Sequence, residues 1–265
     1  MMSARHVSIE RDGRVAVVRF DRGDGKNALS FEVLRELTEA AHSFEEDTET
    51  SAIVLTGCPS VFTMGFDLKD PEATGLATLG LAEKRKLLQT GPRVCRAWEK
   101  LEPMTICALE GWCVGGGMSL AVSCDLRVAG EGAVSFAPEI ERGMNMSWQT
   151  VPRTVALVGP ARTKRLFVMA ERLSAQAGLD WGYFDAVAPD GSALERALEM
   201  AHQIAAMPPV QVRMVKQGVN AAAFALGDAL SALDRDQYLL AQSSEDYEEG
   251  LRSFLEKRPP KYTGR

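Results

Sequence analysis

The chain has 265 residues and a formal net charge of −6 at pH 7, with 46% hydrophobic and 25% charged residues. This length predicts one or two domains with a sizeable core, and the composition argues against intrinsic disorder. The acidic balance argues against a protein that binds the phosphate backbone of nucleic acid, since such proteins carry a basic patch.

Cysteine usage and hydropathy narrow the class of protein further. The five cysteines form no CxxC pair, and only three histidines accompany them. This predicts a reducing compartment and no metal site. The first apolar run, residues 15–18, has only the length of a strand, and Glu110 interrupts the best candidate for a membrane span. We therefore expect a soluble cytoplasmic protein with no export signal and no contact with membranes.

The first half of the chain alternates between strand-like and helix-like patterns. β-Branched and apolar runs predict strands, and Ser30 is placed to cap a helix whose apolar residues recur at helical spacing. The predicted elements are strands at 15–20, 52–56 and 104–109, a helix from residue 31, a mobile loop at 71–80, and a helix at 81–101 interrupted around Gly91 and Pro92.

The second half changes from strands to helices. A glycine-rich segment at 111–124 follows a strand and opens a helix, and short strands are predicted at 126–129 and 134–136. Pro160 is typical of the first turn of a helix, and residues 192–195 fit a capping box. Three more helices are predicted at 209–223, 228–242 and 245–257. This order predicts an α/β core with a helical C-terminal part.

Two glycine-containing segments are candidates for chemistry by backbone amides. Gly65 follows a strand and a turn, and the triplet 115–117 follows a strand and opens a helix. Glycine permits unusual backbone dihedrals, and free amides at a helix start attract negative charge. Two such amides that converge on one point form an oxyanion hole. Each segment alone is more typical of a turn or of tight packing, and the GxGxxG spacing of a dinucleotide-binding loop is missing.

Glu139 is the candidate acid or base. It follows Pro138 inside the otherwise apolar segment 135–143. Partial burial raises the pKa of a carboxyl group toward neutrality, where it can transfer a proton. The local sequence alone is more typical of a surface or helix-capping glutamate.

Several short motifs follow one another in a specific order. They are NALS at 27–30, VLTG at 54–57, FTMGFDL at 62–68, GWCVGGGMSL at 111–120, CD at 124–125, PE at 138–139, EG at 249–250 and FLEKRP at 254–259. Each motif is weak, but their combined order, which covers nearly the whole chain, resembles the crotonase superfamily, also called the enoyl-CoA hydratase/isomerase family.

This resemblance implies a fold and a substrate class. The implied fold is a spiral of repeated β-β-α units over residues 1–200, followed by a helical oligomerisation region at 201–265 that makes homotrimers, often stacked as hexamers. The implied substrate is an acyl-CoA thioester, so that coenzyme A arrives as part of the substrate and no separate cofactor or metal is expected. By matched position, the amides of Phe66 and Gly116 would stabilise an enolate-like anion, with Glu139 as the acid/base.

The resemblance also implies residues around the rest of the substrate. Residues that match the family's adenosine and pantetheine contacts, or lie on the same wall, are Lys26, Ala28, Leu29, Met64, Asp67 and Leu68. Lys257 resembles a C-terminal basic residue that meets a CoA phosphate, with a solvated lysine as the alternative. Ser119, Ser147 and Trp148 are expected around the acyl group, although a tryptophan is more often a core or interface anchor.

Two departures from the family pattern bear on the reaction. Typical hydratases of the family use a second glutamate three residues after the oxyanion glycine, and that position is Ser119 here. A hydroxyl cannot replace a carboxylate that polarises water, whereas one glutamate suffices to move a proton between two carbons. In addition, bulky residues at 144–150 replace a small, glycine-rich stretch and are expected to reshape the acyl pocket.

The sequence therefore predicts an acyl-CoA-processing enzyme of fatty acid metabolism with one glutamate acid/base. The resemblance favours hydration, and the missing second glutamate favours isomerisation. Thioester hydrolysis and decarboxylation on the same scaffold, or a non-catalytic CoA-binding oligomer, are the alternatives, because a fold does not determine a reaction.

Overall fold

The computed structural model describes residues 6–225 and 227–265, without the side chains of residues 228, 229, 231–233 and 235. The strands are β1 (Val7–Asp12), β2 (Val15–Phe20), β3 (Ala52–Thr56), β4 (Met104–Leu109), β5 (Trp112–Val114), β6 (Leu126–Gly130), β7 (Val134–Phe136), β8 (Leu173–Ser174) and β9 (Ala186–Ala188). The helices are α1 (Phe31–His42), α2 (Pro71–Gly75), α3 (Leu81–Leu87), α4 (Thr90–Lys100), α5 (Gly116–Ala121), α6 (Thr150–Val168), α7 (Ala175–Trp181), α8 (Ala193–Ala205), α9 (Pro209–Ala223), α10 (Gly227–Gln242) and α11 (Glu245–Glu256).

The strands form a large sheet and a small sheet. The large sheet has the order β1-β2-β3-β4-β6-β9 and is parallel except for the β1–β2 pair at its edge. The small sheet has the order β5-β7-β8. Every residue of β3 is buried, as expected for a parallel strand that is covered on both faces.

Successive turns of the chain repeat one pattern. Strand β4 enters the large sheet, β5 enters the small sheet and α5 follows; then β6 enters the large sheet and β7 the small one. After β3, a parallel bridge from Thr63 to Cys113 attaches the preceding turn to the small sheet in the same way. This repetition is the predicted spiral of β-β-α units, and the fold prediction is confirmed.

Helix α8 covers the outer face of the large sheet. Its buried alanines, Ala193, Ala197 and Ala201, pack on a cluster that includes Val54 of β3 and Ile106 of β4. The predicted boundary between residues 200 and 201 therefore lies inside a helix. The division into a core and an oligomerisation region remains a prediction.

Several predicted elements need correction. The expected loop at 71–80 contains α2, capped by Asp70, and a 3-10 turn at Leu76–Thr78. The long helix breaks between α3 and α4, so Gly91 and Pro92 lie in the first turn of α4 rather than at the break. Strand β1 had no predicted counterpart.

The structure confirms two of the predicted helix-start signals and contradicts a third. Ser30 caps α1 as expected, because its hydroxyl accepts a hydrogen bond from Val33 N. Pro160 follows a kink at Gly159, where φ is 79°, and starts the second half of α6. The capping box at 192–195 is absent, since Ser192 makes no side-chain cap. Instead, Glu110 Oε1 accepts a hydrogen bond from Ala193 N.

Asn27 joins the end of β2 to the segment after β3. It is buried, has a φ of 50°, and its Nδ2 donates hydrogen bonds to the carbonyls of Phe20 and Phe62, each at 2.9 Å. Asparagine tolerates this left-handed conformation better than most residues. A single side chain thus holds the loop that leads to Gly65.

We predict that Asn27→Asp lowers the free energy of unfolding by at least about 2 kcal/mol. The variant keeps the side-chain size but removes both donors, and a buried carbonyl left without a donor costs about 1–3 kcal/mol. Urea denaturation at one protein concentration measures the change. Gln176→Glu makes the same chemical change on the exposed side of α7 and should shift stability by less than about 1 kcal/mol. Equal effects of the two substitutions would contradict this account.

Candidate active site

Backbone hydrogen bonds between the segment around Thr63 and strand β5 form one side of the candidate site. Thr63 N donates a hydrogen bond to Trp112 O at 2.9 Å, and Val114 N donates to Thr63 O at 3.0 Å. Gly65 has a φ of 90°, and a Cβ there would lie 2.9 Å from the Val114 carbonyl oxygen. Only glycine fits this close approach, which brings Phe66 to the start of α5.

Two backbone amides lack acceptors at this place. Leu29 N donates to Gly65 O, and Asp67 N donates to Leu29 O, but no described residue accepts a hydrogen bond from the Phe66 amide between them. The same is true of Gly116 N, in the first turn of α5, within the part of the chain that the structure covers. Unpaired amides at a helix start are the donors an anion requires.

Phe66 and Gly116 line one cavity of about 90 Å³. Most of its lining is apolar. The lining residues are Phe31, Met64, Gly65, Phe66, Leu68, Leu88, Gly91, Pro92, Val114, Gly115, Gly116, Ser119, Pro138, Glu139, Arg142, Met144, Met146, Ser147, Trp148 and Tyr238. Among these residues Glu139 is the only carboxylate and Arg142 the only cation.

The Glu139 carboxylate is enclosed against the glycine triplet. Its Oε2 atom is fully buried, and no described residue donates a hydrogen bond to it. On the other side, a Cβ at Gly115, where φ is 52°, would collide with Oε1. Burial raises the pKa of Glu139 to about 7, against the opposing effect of the nearby Arg142 charge. The group is therefore close to half ionised at neutral pH and can accept or release a proton.

Ser119 is the residue at which the resemblance implies a second glutamate in typical hydratases. It is buried, and its Oγ lies 2.6 Å from Thr150 Oγ1, which also donates to Ser147 O. The hydroxyl is held in a hydrogen-bonded chain at the edge of the cavity. This position therefore carries no charge.

The segment 144–150 supplies one wall of the cavity, as the bulky residues there suggested. The Trp148 ring packs edge to face on Phe66, with 6.3 Å between the ring centroids. It also occupies the space beside Gly91 and Gly116, where a Cβ would collide with it. Trp148 has a φ of 62°, and Arg153 Nη1 donates to its carbonyl at 2.9 Å. The ring thus leaves little room next to the Gly116 amide.

Other predicted binding residues lie outside the lining of this cavity. Lys26 is exposed, and its carbonyl accepts a hydrogen bond from Met64 N; Ala28 and Leu29 follow it in the same loop. Asp67 forms an ion pair of 2.7 Å with Arg22. Lys257 is exposed at the end of α11. Contacts of these residues with coenzyme A remain predictions.

The structure adds residues that the sequence did not single out. Phe31 from α1, Leu88 and Pro92 from the α3–α4 region, Arg142 after Glu139, and Tyr238 from α10 all line the cavity. Pro92 and Arg142 lie within or beside predicted motifs. Tyr238 lies nearly one hundred residues away from the nearest motif that lines the cavity, so no local pattern indicates it.

The cysteines lie away from this chemistry. All five are free and buried, and burial raises the pKa of the Cys113 thiol well above its usual value and that of Cys95 to about 11. A thiolate nucleophile is therefore disfavoured. In the described chain no three His, Cys, Asp or Glu side chains cluster as a metal site would require. That the reaction needs no metal remains a prediction.

No helix within residues 6–225 and 227–265 is both long enough and apolar enough to cross a lipid bilayer.

Comparison with known proteins agrees with this architecture. The model of the enoyl-CoA hydratase/isomerase family matches residues 10–265. A short-chain-enoyl-CoA hydratase of Clostridium acetobutylicum is 31% identical over 258 residues, which cover 97% of each chain. The crystal structure of a carnitinyl-CoA hydratase from Mycobacterium avium superposes with a TM-score of 0.86 at 28% identity, covering 99% of this chain and 100% of the other. The chain belongs to the enoyl-CoA hydratase/isomerase family.

Proposed function

We propose that this family member acts on an acyl-CoA thioester through an enolate held by the amides of Phe66 and Gly116, with Glu139 as the acid/base. One observation carries the proposal. A buried carboxylate whose pKa is about 7 shares a cavity with two backbone amides that have no acceptor among the described residues. A base beside an anion-binding site is the arrangement that proton abstraction next to a carbonyl requires.

The single carboxylate of the cavity favours isomerisation of a double bond. In a 3-enoyl-CoA, Glu139 would take a proton from C2, and the electron pair would pass onto the thioester oxygen at the two amides. The same carboxyl group would then return a proton to C4, which leaves the double bond between C2 and C3. One base completes the cycle, and no water is consumed.

Hydration is the second candidate function, supported by the names of the relatives. Addition of water to the 2-enoyl double bond requires two groups. One holds and polarises the water, and the other transfers the proton. Ser119, held by Thr150 at 2.6 Å, offers only a neutral hydroxyl. The chemistry of the cavity therefore supports hydration less well than isomerisation.

The remaining expectations form part of this proposal. We infer CoA contacts along the loop 26–29 and by Met64, Asp67 and Leu68, and a phosphate contact at Lys257. We also infer a homotrimer or hexamer, supported by an exposed apolar face on and before α9, formed by Met207, Val210, Met214, Val215 and Val219. A cytoplasmic location remains a prediction from the sequence.

We expect 3-hexenoyl-CoA to be converted to 2-hexenoyl-CoA in deuterated water, with deuterium incorporated and no mass gain of one water. Crotonyl-CoA under the same conditions should remain unhydrated. Mass spectrometry separates the products. Hydration of crotonyl-CoA would instead show that one glutamate suffices for water addition, and binding of both esters without either product would point to another acyl group or to a binding protein.

Two variants test the base in the same assay. Glu139→Gln should lower kcat by about 10²–10⁴-fold, the usual contribution of a general base, while CoA-ester binding persists. Glu141→Gln removes an exposed carboxylate two residues away and should leave turnover unchanged. Equal turnover by the Glu139 variant and the wild type would remove this residue from the mechanism.

We expect kcat/KM to rise about tenfold per pH unit below pH 7 and to level off above it. The base acts as the carboxylate, and its pKa of about 7 means that ionisation is complete only above that value. A profile that levels off near pH 5 would contradict the burial of this group.

The raised pKa of Glu139 also makes the stability of the folded protein depend on pH in a predictable direction. Because an unfolded glutamate ionises near pH 4.3, the native state binds the extra proton between that value and about 7. This contribution to stability is complete below the unfolded pKa and is lost as the pH rises through the folded one. Glu139→Gln should therefore have a higher Tm than the wild type at pH 8, and little advantage at pH 4, by differential scanning fluorimetry.

We predict that Val215→Asp disrupts self-association. The side chain is exposed in the single chain and belongs to the apolar face of α9, so a buried charge at a subunit contact would be strongly unfavourable. Mass photometry should show a shift from trimer or hexamer to monomer. Gln203→Asp on the exposed side of α8 is the matched control. A monomeric wild type would remove the oligomer from the proposal.

A further inference from the structure

Arg142 places a positive charge in the wall of the cavity without an ion-pair partner. Its Cζ lies 4.2 Å from the centroid of the Phe254 ring, and within the described residues no carboxylate lies within ion-pair distance of its guanidinium. The fully buried arginines of this chain are different. Arg127 pairs with Asp185 at 3.1 Å, and Arg153 pairs with Glu99 at 2.6 Å. Desolvated arginines are normally paired in this way.

The backbone holds Arg142 at this position. Its amide donates a hydrogen bond to Glu139 O at 3.0 Å, and a Cβ at Gly250 of α11 would collide with the Arg142 backbone. The backbone of Arg142 is thus packed between the turn at Glu139 and helix α11. The charged groups that face it are Glu139, which is only partly ionised at neutral pH, and Glu141, which is exposed.

Tyr238 brings a second hydrogen-bond donor to the same cavity. Its hydroxyl donates to Met144 Sδ at 3.4 Å. A thioether is a weak acceptor. The hydroxyl also interacts with the side chains of Tyr247 and Gln242, so an acceptor in the cavity would compete with these contacts for its proton. Arg142 and Tyr238 come from different elements, and both residues line the cavity that contains Glu139.

We propose that the acyl group of the substrate carries a second anionic group, a carboxylate, and that Arg142 binds it with Tyr238 as a further donor. The inference rests on the proposed function and narrows its substrate class to CoA esters of dicarboxylic acids. A carboxylate satisfies the unpaired guanidinium through charge-assisted hydrogen bonds. A plain fatty acyl chain offers the guanidinium no hydrogen-bond acceptor.

The test compares ligands that differ only in the distal carboxylate and that do not react. The pairs are butyryl- and succinyl-CoA, pentanoyl- and glutaryl-CoA, and hexanoyl- and adipoyl-CoA, with Kd measured by titration calorimetry on the full-length protein. In at least one pair the carboxylated member should bind at least tenfold more tightly. Arg142→Met should bring this ratio close to one, Arg142→Lys should retain part of it, and Tyr238→Phe should reduce it.

Arg165→Met is the matched control, because Arg165 pairs with Glu171 on the surface and is not part of the cavity lining. It should leave the ratio unchanged. Equal affinities within all three pairs of the wild type would overturn the inference and leave the proposed function standing. So would a ratio that survives Arg142→Met, the result expected if Arg142 only tunes the ionisation of Glu139. Absence of binding by all six esters would instead overturn the proposed function itself.

Discussion

The hydrogen bonds that Thr63 makes with Trp112 and Val114 hold the segment that carries Gly65 and Phe66 against the strand that leads to the glycine triplet. A strand can change its register only in whole residues, and a shift of one residue would exchange the inward and outward positions. This register requires glycine at position 65. Its φ of 90° is unfavourable for other residues, and a Cβ there would collide with the Val114 carbonyl. The backbone, and not a side chain, thus brings Phe66 and Gly116 to the lining of one cavity.

The same glycine-rich turn determines the chemistry of Glu139. A side chain at position 115 would occupy the place of its carboxylate, so the absence of a Cβ there permits the burial of an acid. That burial raises the pKa to about 7 and leaves Oε2 without a donor among the described residues. A buried, unsatisfied carboxyl group lowers stability at neutral pH. The protein tolerates this loss at a site whose function needs a group that exchanges protons near pH 7.

Much of this arrangement was predictable from local sequence, because its central elements are local. The apolar strands, the Ser30 cap, the two glycine segments and the position of Glu139 all depend on residues within a few positions of one another. The helix at 71–75 was missed although its cap, Asp70, is local, whereas other features depend on distant partners. The predicted helix break near Gly91 is present, two to three residues earlier, but the sequence did not indicate that the lack of a side chain at Gly91 makes room for the Trp148 ring. Residues 192–195 suggested a capping box, but Glu110, more than eighty residues away, receives the helix amide. Tyr238 reaches the cavity only through the fold of the C-terminal helices.

Ser119, at the position where the resemblance implies a second glutamate, contacts the wall at 144–150. Ser119 is almost completely buried and hydrogen bonded to Thr150, whose hydroxyl also contacts Ser147. Trp148, in the same segment, fills the space beside Gly116. A glutamate at 119 has three more heavy atoms than serine, so it would break the Thr150 contact and take up part of the cavity that Ser119 lines. The neutral residue and the bulky segment are thus linked by a hydrogen bond, and a carboxylate at 119 would lose that contact.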